Sequence, residues 1–247
     1  MARSCCFKLL VVALFLISCS LLPGNAQAQS GEQLVTKMHA RYKDNWYRTL
    51  TFTQQTELYR SDSAFQKSTW YEMVRFPYEL RIDVDSVNGG NKTIYTRDST
   101  YRIRNHKLFR TTTEPNPFIF FLGGMYMLSI DSAKSILTRN GYDLSSGGST
   151  NWNGRKTLIA GATSDKDSTH NQFWVDAENL YIVRILLHSG GRLLDVHLSN
   201  HVKLPRGWSE TSVAFYRDGQ LLQTEKYSNL VPDAKLSDST FDVSRFR

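Results

Sequence analysis

The sequence predicts an α+β, β-rich domain of about eleven antiparallel strands with two or three helical segments. Three observations lead there. One apolar stripe of helical period opens the chain beyond the leader. Short segments rich in Thr and aromatic residues then follow one another at hairpin spacing. Several of these segments are apolar on both faces, so something must cover the second face.

The stripe is Leu34, Met38, Tyr42 and Trp46, recurring every four residues with Val35 adjacent. Strands are expected at Thr49 to Tyr59, Ser68 to Phe76 and Tyr78 to Val84, the last two separated at Pro77. Asn88-Gly89 is a hairpin signal leading to Lys92 to Arg97, followed by Thr100 to Arg104 and Lys107 to Thr112. Pro115-Asn116-Pro117 then stops the series, and Phe118 to Leu128 is a dense apolar segment around Gly123-Gly124. Asp131 is placed to cap a short helix reaching Asn140, which Gly141 would end. Ser145 to Gly154 reads as a polar, Gly-rich loop. Strands resume at Arg155 to Gly161, Asn171 to Asp176, Tyr181 to His188 and Arg192 to Val202. Trp208 to Arg217 and Gln220 to Tyr227 form a last hairpin around Asp218-Gly219. No internal repeat or domain-sized linker interrupts residues 29–247, which read as a single domain.

Arg192 to Val202 alternates cleanly, with Leu194, Val196, Leu198 and Val202 opposite Asp195, His197, Ser199 and His201. Other strands do not. Trp70 and Val74 oppose Tyr71 and Met73, and Tyr181, Val183, Ile185 and Leu187 oppose Ile182 and Leu186. Helices, a second sheet or a bound apolar ligand can each cover such a second face. Aromatic and Met side chains around the Gly-Gly pair suit an adaptable lid over an acyl-chain cavity, and they equally suit an ordinary buried segment.

Residues 1–28 read as a signal peptide. Arg3 and Lys8 precede an apolar stretch from Leu9 to Leu22, and Ala26-Gln27-Ala28 fits a small-x-small cleavage site. The stretch is short for a bilayer span. Leu16-Ile17-Ser18-Cys19 also resembles a lipobox, which would anchor the protein through Cys19. Cleavage after Ala28 is preferred because the apolar stretch runs on to Leu22. Either route takes the protein out of the cytoplasm, and the expected location is the periplasm.

All three cysteines (Cys5, Cys6, Cys19) lie in this leader, which removes disulfides, thiolate-held metals and a cysteine nucleophile from the body. The formal net charge is +7, and loss of Arg3 and Lys8 leaves 28 basic and 23 acidic residues, a net +5. These charges are interspersed, without the clustering of a nucleic-acid-binding stripe, so no nucleic-acid partner is expected.

No hydrolase elbow, phosphate-binding loop, dinucleotide fingerprint or zinc-protease motif occurs, and no cofactor or metal is implied. His197 and His201 lie about 13 Å apart on a strand, too far to share an ion. Asp195 could orient His197, yet no nucleophile is identifiable beside them; a solvated strand face accounts for both. Asp-Ser followed by a small or apolar residue recurs six times, beginning at Asp62, Asp85, Asp98, Asp131, Asp167 and Asp238. It looks like an O-glycosylation acceptor pattern, although Asp and Ser are also favoured in turns and caps.

Several segments resemble the outer-membrane lipoprotein carrier and receptor family, LolA and LolB. Thr51-Phe52-Thr53-Gln54-Gln55 is similar to its first-strand Phe-x-Gln signature, and Trp70 to Ile82 with Arg75, Pro77 and Arg81 to its next hairpin. Thr93-Ile94-Tyr95 to Tyr101 matches the hairpin after that, and Asn116-Pro117-Phe118 with its apolar run the helical lid. Phe173-Trp174-Val175-Asp176 through Tyr181-Ile182-Val183-Arg184 resembles the Trp-Val-Asp turn, and Phe241-Asp242 the closing motif. Phe76 separates Arg75 from Pro77, where the carrier pattern has Arg directly before Pro.

The resemblance implies an antiparallel half-barrel whose concave face is covered by helices. It further implies a non-enzymatic periplasmic carrier for lipoprotein or lipid acyl chains, working as a monomer with inner- and outer-membrane transport partners. The implied cavity residues on strands are Phe52, Trp70, Tyr71, Met73, Leu80, Ile82, Tyr95, Val183 and Ile185. Those on the lid are Phe118, Phe120, Phe121, Leu122 and Met125, with Arg75 as the residue holding it closed. Two other functions fit the same sequence: an envelope-stress sensor that binds a membrane-protein partner, and an exported hydrolase with an unrecognised site.

Overall fold

The computed structural model describes residues 29–246; the expected leader, its cleavage site and Cys19 lie outside them. Helix α1 (Gly31–Tyr42) begins where Ser30 and Gln33 cap one another. Ser30 Oγ accepts from the Gln33 N–H at 3.2 Å, and Gln33 Oε1 accepts from the Ser30 N–H at 3.0 Å. Leu34, Val35, Met38 and Tyr42 are buried as their spacing requires. Trp46 lies beyond the helix end, but it is buried too.

Six strands follow: β1 (Thr49–Arg60), β2 (Ser63–Arg75), β3 (Glu79–Val84), β4 (Lys92–Tyr95), β5 (Thr100–Arg104) and β6 (Lys107–Thr112). A helical crossover comes next, made of α2 (Pro117–Phe121), a 3-10 turn (Gly124–Met127) and α3 (Ile130–Arg139). Ser129, not Asp131, caps α3, its Oγ accepting from the Ser132 N–H at 3.2 Å. The chain then returns through β7 (Gly147–Trp152), β8 (Arg155–Ala160), β9 (Gln172–Asp176), β10 (Ile182–Ser189) and β11 (Arg192–Ser199). It ends with β12 (Val202–Lys203), β13 (Trp208–Ser209), β14 (Ser212–Arg217) and β15 (Gln220–Pro232), then two 3-10 turns (Asp238–Thr240, Ser244–Phe246).

Thirteen strands form one antiparallel sheet in the order β6-β5-β4-β3-β2-β1-β15-β14-β11-β10-β9-β8-β7, and β12 and β13 pair separately. The expected strand count of about eleven is therefore low, for two reasons. The segment read as a Gly-rich loop is an edge strand: β7 pairs with β8 from Gly147–Ala160 to Trp152–Arg155. Two segments read as continuous strands are each broken in two. Asn200 (φ +54°) ends β11 before Val202, and Trp208–Ser209 turns aside before Ser212.

The chain thus meanders from the centre to one edge at β6, then meanders back from the opposite edge at β7. β6 and β7 do not pair among the described residues, so the sheet stays open. Residues 113–146 must cross its whole width, and they carry α2 and α3 across the same face that α1 covers. That inner face holds the main core, including Leu34, Met38, Phe52, Ile82, Phe173 and Val196.

Two smaller clusters cover the outer face. Trp152, Ile159, Trp174, Val183 and Leu186 pack together there, and Phe241 and Phe246 of the C-terminal segment cover Ile94 and Ile103. The second apolar face of β10 is therefore covered on the outside by the chain itself, whereas Tyr71 and Met73 of β2 stay half-buried outside both clusters. Among the described residues no helix is long and apolar enough to cross a membrane.

Candidate functional site

Between the inner face and α2 lies a cavity of about 250 Å³. Period-two alternation places its walls. β1 contributes Leu50, Phe52 and Gln54, β2 contributes Trp70, Glu72 and Val74, and β3 contributes Leu80 and Ile82. Val196 and Leu198 of β11, Val213 and Phe215 of β14, and Glu225 and Tyr227 of β15 close the other side. The crossover supplies the roof through Phe118, Ile119 and Leu122. Asn116 caps α2, its Oδ1 accepting from the Phe118 N–H at 2.9 Å, which fixes where Phe118 enters.

Seven of the residues expected to line an acyl-chain cavity do face it: Phe52, Trp70, Leu80, Ile82, Tyr95, Phe118 and Leu122. The others are placed elsewhere. Tyr71 and Met73 lie one residue out of phase with Trp70 and Val74, so the strand pleat turns them to the outer face. Phe121 packs on Tyr142 and Phe173 at 5.6 Å to each ring, with Phe120 edge-on to it at 5.4 Å. Met125 and Ile185 are fully buried in the main core outside the cavity wall.

Val183 belongs to the outer cluster because β10 bulges there: Ile182 pairs with Val175 and Arg184 with Trp174, leaving Val183 extra. The bulge puts Ile182 and Ile185, three apart, on one face.

The Gly123-Gly124 pair within the apolar segment is a close-packed point. A Cβ on Gly123 would sit 2.4 Å from Trp46 Nε1, and one on Gly124 2.9 Å from both Ile119 O and Pro77 O. Arg75, expected to hold the lid, turns away from α2. It pairs with Glu79 at 2.5 Å and Asp238 at 2.7 Å, and it stacks on Phe241 at 4.8 Å. The crossover is tied to α1 instead, through His39 Nε2 and Leu128 O at 2.8 Å and the ring cluster of Tyr42, Trp46 and Tyr126.

The polar residues of the cavity were not singled out from the sequence. Glu72 shares the face of Trp70 and Val74, and that phase was the available signal. Burial drives the Glu225 carboxyl up to about 7, against hydrogen bonds from Tyr227, Gln223 and Gln54 that favour its ionised form. Burial also drives Glu210 up to about 7, where its own backbone N–H opposes the rise and the Glu225 charge adds to it. Glu72 is raised well above the usual carboxylate range by burial and then by the charges of Glu225 and Glu210.

Asp195 and His197 form a separate, outer-face cluster. Asp195 accepts two hydrogen bonds from Arg184 at 2.8 and 2.7 Å, and its Oδ1 lies 3.1 Å from His197 Nε2, an electrostatic contact without hydrogen-bond direction. Burial acts to raise Asp195, but Arg184 and His197 together bring it down to about 2. Arg184 is sandwiched between Trp152 and Trp174, with 4.7 and 4.4 Å to the rings. His201 stacks on Tyr181 at 3.9 Å, and its Nε2 lies 2.9 Å from Ile182 O.

No protein-family model matches the chain, and no curated protein matches it in sequence. Solved structures do match its fold. A DUF1329 family protein from Desulfovibrio piger superposes with a TM-score of 0.61 at 16% identity, covering 88% of this chain and 98% of that one. A domain designated an outer membrane lipoprotein-sorting protein, from Vibrio parahaemolyticus, gives 0.56 at 12% identity over 86% and 96%. A LolA superfamily protein from Nitrosomonas europaea gives 0.53 at 9% identity over 86% and 97%. At such identities likeness speaks for architecture alone, and the architecture this chain carries is the LolA-like one: a large open antiparallel sheet with helices on one face.

Proposed function

We propose that this protein is a non-enzymatic periplasmic carrier that holds the acyl chains of lipoproteins, or of a comparable lipid cargo, for delivery to the outer membrane. The supporting observation is the cavity itself, walled by apolar side chains of seven strands and roofed by a five-residue helix. Burial of acyl carbon stabilises by roughly 0.8 kcal/mol per methylene, so a partly enclosed chain is bound without any directed bond. Release then needs a cover that is weakly held. α2 is short, and its roof residues Phe118 and Leu122 are only partly buried. Its far end is held where Gly123 and Gly124 pack closely against Trp46 and Pro77. This arrangement lets the near end yield while the crossover stays in place. The lipoprotein-sorting and LolA designations of two fold relatives agree with the reading.

Native mass spectrometry of the protein purified from its own envelope tests it. The expected result is a one-to-one complex with a lipid or lipid-modified protein. An intact fold that carries neither contradicts the proposal.

A further inference from the structure

The sheet gives its buried acids cationic partners everywhere except in the cavity. Asp83 is met by Arg81 at 2.7 Å and Lys92 at 3.8 Å, Asp176 by Arg155 at 2.6 Å and Asp195 by Arg184 at 2.7 Å. Glu72, Glu210 and Glu225 face the cavity and have no such partner, and among the described residues no Lys, Arg or His lines it.

Glu225 accepts hydrogen bonds from Tyr227 Oη and Gln223 Nε2. The Glu210 carboxyl receives no hydrogen bond from the side chain of any described residue, and its own backbone N–H is the one group that favours its ionised form. Glu72 is 7% exposed, points into the cavity between Trp70 and Val74, and receives no hydrogen bond from any described residue. A buried carboxyl without a partner costs several kcal/mol relative to one in water. The three act on one another electrostatically, so once they ionise each makes a cation, or a proton, more favourable at its neighbours.

We infer that the cavity takes an amphiphile whose polar end bears a protonated amine, the ammonium lying among Glu72, Glu210 and Glu225 and the chain against Phe52, Val213 and Leu122. The inference rests on the carrier reading of the cavity and names the chemistry of its ligand. An ammonium supplies both the charge and the hydrogen-bond donors that the carboxyls lack. A fatty-acid carboxylate or a phosphate headgroup of similar length is disfavoured by like-charge repulsion at the same place. Two sources present this chemistry: an amine-bearing lipid, and the free amino terminus of a lipid-modified protein.

The test titrates the protein, purified in its native processed form, with dodecylamine, dodecanol and dodecanoate at about pH 8, where Glu225 and Glu210 ionise, following Trp fluorescence. Dodecylamine is expected to bind roughly tenfold tighter than dodecanol, with dodecanoate weakest. Glu72→Gln and Glu225→Gln are each expected to cut the amine-over-alcohol ratio about fivefold. Two variants are used so that a folding failure in one leaves the other to decide.

A lipopeptide with a free α-amine is compared with its N-acetylated form. Preference for the free amine assigns the ligand to a lipid-modified protein, and preference confined to dodecylamine assigns it to a lipid. Binding of all three chains without amine preference overturns this inference and leaves the carrier reading standing. Binding of none overturns both.

Discussion

Phe118 of α2 meets Phe215 of β14 edge-on, with ring centroids 5.6 Å apart and planes at 90°. It is the aromatic contact by which the roof closes onto the far wall of the cavity. An edge-to-face pair contributes roughly 0.5–1.5 kcal/mol beyond its buried area. Phe118→Ala is therefore expected to weaken binding of a neutral acyl probe about three- to tenfold, mainly by faster dissociation. Stopped-flow release of the probe would show this. An unchanged release rate would mean that the roof does not gate the cavity.

Stability should depend on pH through the cavity acids. Glu225 and Glu210 titrate near 7 in the folded protein, above their unfolded value, so the folded state binds their protons more tightly. The stability they contribute is complete below about pH 4.5 and is lost as pH rises through about 7. Glu225→Gln removes its share of this dependence, on the order of 3 kcal/mol at most. Urea unfolding between pH 5 and pH 8 should show a declining midpoint for the parent and a flatter one for the variant. A parent midpoint that rises over this interval would contradict the assignment.

The outer-face cluster has the opposite sign. Asp195 sits near 2, below its unfolded value, so its contribution is present above about pH 4 and lost as pH falls through 2. Asp195→Asn should cost about 1.5–3 kcal/mol near neutral pH, since it weakens the paired hydrogen bonds from Arg184. Probe binding should be unaffected. More than about a threefold change in binding would place this cluster in the functional site after all.

Gly123 permits the crossover to reach its anchor. An added Cβ would lie 2.4 Å from Trp46 Nε1 and 2.9 Å from Phe76 Cζ, both in the main core. Gly123→Ala should destabilise by about 1–3 kcal/mol, as overpacking of a close-packed core does. Thermal unfolding measures it, and a neutral variant would show that Trp46 has room to move.

What the sequence made legible was local. The apolar stripe located α1, whose Ser30–Gln33 cap went unread, and Asp218-Gly219 located the final hairpin with both residues at positive φ. The alternation from Leu194 to Leu198 placed Val196 and Leu198 on the cavity wall and Asp195 and His197 outside. Strict alternation failed where the backbone departs from it. The bulge at Val183 reversed the phase of β10, and Asn200 at positive φ divided a segment that reads as one strand. β7 escaped notice because Gly147-Gly148 and the polar run after it carry turn composition, yet the strand pairs along its whole length with β8.

The site acids were hidden for a different reason. Glu72, Glu210 and Glu225 come together only through β1–β2, β1–β15 and β14–β15 pairing, at separations no spacing rule spans. Covering of the outer face by Phe241 and Phe246 is likewise a product of tertiary structure.

The central claim is that an acyl chain occupies the space under α2. Photo-crosslinking with a diazirine-bearing dodecyl alcohol, followed by peptide mapping, tests it most directly. Labels are expected on inner-face residues such as Leu80, Phe118, Leu122 and Val213, suppressed by excess dodecanol. Labels confined to outer-face residues such as Tyr71, Met73 or Val183, or labelling that excess dodecanol does not compete, would contradict it.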